Sequence, residues 1–169
     1  NDLDEKELTS IISNYLKIDE KHSKKYTWIW IGSYEKGLQK IKIEVNKRKY
    51  PDKYINIDFL GISIPTMQPE YMFAHKLCAI TDRRILQNRD LFDSWFMFQK
   101  QWEPNEEIIK IRTGLSKSEY YEKIIDFINV RKHRISILDG LGEVLDQKKK
   151  IWVKENLLEE LLFQLKIRL

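Results

Sequence analysis

Cysteine is nearly missing from this chain of 169 residues. Cys78 stands alone, so no intrachain disulfide can form and a reducing compartment is expected. Histidine is scarce too, and His22, His75 and His133 are too scattered for a metal-ligand spacing. No apolar run comes near the roughly 18 residues of a membrane-spanning helix, and the acidic start is no signal peptide. The expectation is therefore a cytoplasmic protein with no membrane contact. There is no internal repeat and no low-complexity tract. Charge of one sign is also lacking, since 30 Lys and Arg face 26 Asp and Glu for a net +4. That balance permits a polyanion as partner without demanding one. The chain starts at Asn1 and not at Met, which raises the expectation of a processed form or of part of a longer polypeptide.

What is present is core material. Hydrophobic residues make up 42%, with five Trp, eight Tyr and seven Phe, which excludes a disordered chain. Strand signals fill the first 65 residues and helix signals the rest, so the fold class is α+β. The expected division is 1–65 as a sheet-bearing part, antiparallel or mixed, and 66–169 as a helical region ending in a C-terminal bundle. Asp2 or Asp4 caps a first helix through Leu8, Ile11, Ile12, Tyr15 and Leu16. Residues 17–25 read as a polar loop. Residues 26–31 and 38–47 read as strands about a turn at Glu35-Lys36-Gly37, with Ile41, Ile43 and Val45 on one face of the second. Residues 54–64 read as one extended run, bent at Gly61 and ended by Pro65, after which Thr66 caps the next helix. Asn105 caps a short helix that Thr113-Gly114 closes, and Ser116 with Glu119 forms a capping box for another. Arg131 to Arg134 falls in a loop or helix end, 138–142 is a turn, and a final pair of segments runs to Leu169.

Two neighbouring helices carry charge where a core-facing helix should not. From Met72, the spacing puts Phe73, Leu77, Ala79 and Ile80 on one arc, with Lys76 and Arg83 inside it and Cys78 off it. The second helix is apolar almost all round (Leu91, Phe92, Trp95, Phe96, Met97, Phe98), yet Asp90 and Asp93 share a face. Such charges either pair in a structural cluster or serve a ligand, and spacing alone does not separate the two.

The run Phe73 to Ala79, then Asp82-Arg83-Arg84, then Asn88-Arg89-Asp90-Leu91-Phe92-Asp93-Ser94-Trp95 resembles the signature of the AbiEii/AbiGii-type nucleotidyltransferase toxins. Leu38 to Arg48 is similar to the strand that precedes it in that family, and the resemblance covers about half the chain. It implies a nucleotidyltransferase-like fold that transfers a nucleoside monophosphate from a nucleoside triphosphate to an acceptor, expected to be tRNA. Partners so implied are the triphosphate, the tRNA and a cognate antitoxin. It further implies Mg2+ as cofactor with Glu44 as a metal ligand, Lys76, Asp90 and Asp93 as catalytic residues, and Arg83, Arg84 and Arg89 as nucleotide-binding. Read from the residues alone, Glu44 is equally an exposed strand carboxylate paired with Lys42 or Lys47. The family's Gly-Ser and Asp-x-Asp segment has no good counterpart: Asp2-Leu3-Asp4 reads as a helix cap and Gly32-Ser33 lacks a following acidic pair. That segment is expected upstream of Asn1. The alternative function is a non-catalytic module of the same fold that binds an antitoxin or RNA.

Overall fold

Aromatic and β-branched side chains suit a pleated surface, and Tyr26 to Ile31 behaves accordingly. In the computed structural model, which describes residues 4–35, 37–83, 85–141 and 145–169, this stretch builds β2 (Thr27–Ser33). It is the central strand of an antiparallel sheet ordered β1 (Lys17–Ser23), β2, β3 (Ile41–Asn46). The first helix, α1 (Glu5–Ser13), supplies Ile12 to the small core that Leu16 and Trp30 complete. The Trp30 indole N–H donates to Thr9 Oγ1 at 3.0 Å. Asp4 is the N-cap residue but its side chain makes no capping bond, and Asp2 lies outside the described residues.

The polar loop expected at residues 17–25 is instead β1. An edge strand need not alternate in hydrophobicity, because solvent covers most of it and the ladder to β2 supplies its order. Lys21 reaches Glu5 at 3.0 Å and holds that carboxyl below its usual pKa. Gly32 in β2 is there for contact: a Cβ at that position would collide with the Lys17 carbonyl oxygen of β1. Gly32→Ala is therefore expected to lower stability by about 1–3 kcal/mol, the usual range for overpacking, as read from urea unfolding.

The extended run at 54–64 proves to be a hairpin, β4 (Tyr54–Phe59) and β5 (Ile62–Met67). Leu60 and Gly61 both have positive φ, at 54° and 79°, the backbone of a two-residue hairpin turn. Gly61 is thus the turn itself and no mid-strand bend. Pro65 does not end the run but sits within β5 opposite Asn56, since a two-stranded ribbon leaves outward N–H groups unpaired. Thr66 belongs to β5, and its hydroxyl bonds the Ile64 carbonyl instead of capping a helix.

The N-cap of the next helix, α2 (Pro69–Asp82), is Gln68, and Pro69 takes the first turn, where a missing N–H costs nothing. α3 (Asn88–Gln99), α4 (Glu106–Thr113), α5 (Lys117–Arg131) and α6 (Gln147–Lys166) follow. The caps expected for α4 and α5 are present: Asn105 accepts from the Ile108 N–H, Gly114 is left-handed, and Ser116 and Glu119 form the reciprocal box. Arg131 ends α5 and a 3-10 turn spans Lys132–Arg134. The final pair of segments is one continuous helix, α6, capped by Asp146. α2 packs on α3, α4 and α5, while α6 packs on α3 and α5. Contacts divide the chain into Asn1–Tyr50 and Pro51–Leu169, which groups the β4–β5 hairpin with the helices. The fold is α+β, as expected.

Packing on three sides explains why Cys78, off the expected arc, is fully buried along with Phe73, Leu77 and Ile80. The Tyr120 hydroxyl donates to the carbonyls of Leu77 and Cys78 at 3.2 and 3.3 Å, which locks α5 to α2. Burial pushes the Cys78 thiol from 9.0 up to about 11 and raises the Tyr120 and Tyr121 phenols as well. A folded pKa above the unfolded one gives stability that is complete below pH 9 and lost as pH climbs toward 11. The melting temperature is expected to fall in that window, less steeply in Cys78→Ala. A thiol reagent at pH 8 should label Cys78 only after unfolding.

Candidate active site

α2 and α3 run side by side and face each other with opposite charges. Lys76, in the middle of α2, reaches Asp93 Oδ2 at 2.7 Å and Asp90 Oδ1 at 3.5 Å. Asp90 and Asp93 lie one turn apart at the start of α3, where the helix dipole favours carboxylates. Arg83 was expected on the apolar arc of α2, but the helix stops at Asp82, and Arg83 reaches Asp90 Oδ2 at 2.8 Å from the connection beyond. Its N–H is not aimed along that contact, so Asp90 Oδ2 is buried without a hydrogen bond. Arg89 lies 4.0 Å from Asp93, one turn away on α3 itself. The two carboxylates differ in access. The Asp90 side chain is 3% exposed, against 26% for Asp93 and 31% for Lys76.

The structure thus brings together five of the expected residues: Lys76, Asp90, Asp93, Arg83 and Arg89. Arg84 lies outside the described residues. Glu44 is on β3 in the first unit, exposed, with Lys42 at 2.6 Å. Among the described residues no three His, Cys, Asp or Glu side chains gather, and both α3 carboxylates already face cations. These residues do not by themselves fit a divalent cation.

Sequence reasoning missed two supports of the cluster. Asn88 reads as a helix-start residue, yet it is buried, and its amide donates to the Ser136 and Asp139 carbonyls at 2.8 and 3.1 Å. It pins the turn after α5 against the start of α3. His75, next to Lys76, joins three segments. Arg112 of α4 donates to its Nδ1 at 2.9 Å, which leaves Nε2–H to donate to Asp52 at 2.8 Å. Arg112 also pairs with Asp82, at the end of α2. The only sequence signal was a histidine and an arginine within otherwise apolar periodicity.

A family model of nucleotidyl transferases matches residues 3–151 and sets the class of the chain. The chain belongs to the family it describes, the AbiEii nucleotidyl transferase toxins of type IV toxin–antitoxin systems. No curated protein matches. Two solved structures resemble it. A candidate nucleotidyltransferase from H. pylori shares 19% identity at a TM-score of 0.43, over 95% of this chain and 71% of that one. JHP933 from Helicobacter pylori shares 20% at 0.43, over 96% and 68%. No helix among the described residues is long and apolar enough to cross a membrane.

Proposed function

We propose that the Lys76 cluster receives the triphosphate of a nucleoside triphosphate, and that the chain transfers the nucleoside monophosphate to a tRNA. The observation that carries this is a lysine preplaced by two carboxylates yet still reachable, with its side chain 31% exposed. Lys76, Arg83 and Arg89 meet the negative charge of the phosphates, and Arg84 is assigned the same part from its place in the motif. The acceptor hydroxyl oxygen bonds to the α-phosphorus, the bond to the β-phosphate breaks, and pyrophosphate leaves. Asp93, the more open carboxylate, takes the hydroxyl proton; Asp90, nearly sealed, holds Lys76 and Arg83 in place.

The basic stretches Arg131 to Arg134 and Lys148 to Lys150 suit a tRNA backbone, and binding through them would weaken steeply with salt. A cognate antitoxin is the further partner that a toxin of this family implies. The test is to incubate the chain with triphosphates labelled at the α-phosphate, Mg2+ and tRNA. Label on the RNA, lost in Asp93→Asn, supports transfer. Triphosphate binding with no transfer replaces it with the non-catalytic module.

A further inference from the structure

α3 has a second face that the transfer step does not use. Phe92, Trp95 and Phe96 line a cavity of about 480 Å3 together with Trp152 of α6. Trp95 and Trp152 rings lie 4.4 Å apart at 40°, and Phe92 meets Trp95 at 5.5 Å, so the wall is a continuous aromatic surface. Three charged residues complete the lining: Arg89, Lys149 and Asp93. Asp93 faces Lys76 at 2.7 Å and Arg89 at 4.0 Å, and Lys149 holds Asp146 only loosely at 3.7 Å, with both side chains of that pair mostly in solvent, so the two cations stay within reach of an anion.

Aromatic walls favour a flat ring, and two cations at its side favour an attached phosphate. The volume falls in the usual range of about 300–1,000 Å3 for small-molecule sites and exceeds what one ring fills. We infer that this cavity seats a nucleotide, with its base on Phe96, Trp95 and Trp152 and its phosphate at Arg89 and Lys149. Arg89 and Asp93 belong to both the cavity and the Lys76 cluster, so a seated nucleotide lies beside the phosphate site. This rests on the proposed transfer for the direction of the phosphates. The seated nucleotide comes either from the triphosphate or from the end of an RNA acceptor.

The test is a tryptophan-fluorescence titration of the full chain with nucleoside monophosphates, ribose 5-phosphate and a short single-stranded RNA. Monophosphates are expected to quench and ribose 5-phosphate is not. Phe96→Ala and Lys149→Glu, both at exposed side chains, should each weaken the quenching ligand about fivefold or more without changing the melting temperature. If Phe96→Ala also weakens triphosphate binding, the triphosphate fills the seat; if it weakens only RNA binding, the acceptor does. Monophosphate titrations that neither variant alters, or quenching equally strong with ribose 5-phosphate, would overturn the inference. Lys76→Ala separates the two proposals. Unchanged triphosphate affinity in that variant removes the phosphate assignment, while the monophosphate result still decides the seat.

Discussion

Arg112→Ala is expected to destabilise the second unit by about 3 kcal/mol, the lower end of what removing one partner of a buried ion pair costs. The lower end applies because Asp82 keeps 39% of its side chain in solvent, whereas Arg112 keeps 8%. The loss has three parts. His75 Nδ1 and the His75 carbonyl lose their donor, Asp82 loses its cation, and α4 loses its polar tie to α2. In a domain of this size that corresponds to a melting temperature lower by about 10 °C. Arg112→Lys should recover only part, since an ammonium cannot fork between the imidazole and the carboxylate. A fall of less than about 2 °C in Arg112→Ala would mean that the network is decoration.

Lys76→Ala is expected to act on binding and hardly on folding. Its removal leaves Asp90 in an ion pair with Arg83 at 2.8 Å and Asp93 with Arg89 at 4.0 Å, so each carboxylate keeps a cation, while Asp90 gives up the hydrogen bond from Lys76. Binding is another matter. A charged hydrogen bond to phosphate contributes about 1.5–3 kcal/mol, so triphosphate affinity should drop by about 10- to 100-fold. Unfolding of this variant would instead make the lysine a structural pin.

Much of this was legible because the chemistry is local. The α4 and α5 caps follow from Asn105, Gly114, Ser116 and Glu119 and form as read. The pairing of Lys76 with Asp90 and Asp93 follows from charge stranded among apolar residues. What was not legible depends on distant chain. β1 has no hydrophobic alternation, and its order comes from β2 and Glu5. Residues 54–64 hold apolar side chains on both strands of a ribbon that is mostly exposed, so alternation could not mark the turn. Cys78 looked peripheral because a single wheel cannot show a helix enclosed by three others. The aromatic cavity joins residues from α3 with Trp152, more than 50 positions on, and no spacing rule links them.

The most direct test of the central claim is calorimetric titration of the four nucleoside triphosphates into the unaltered chain and into Lys76→Ala, with melting curves for both. Binding dominated by one base is expected, at least tenfold weaker in Lys76→Ala, with the two melting temperatures close together. Equal affinity in the two proteins would contradict it, because the lysine between Asp90 and Asp93 would then be an ion-pair pin and nothing more.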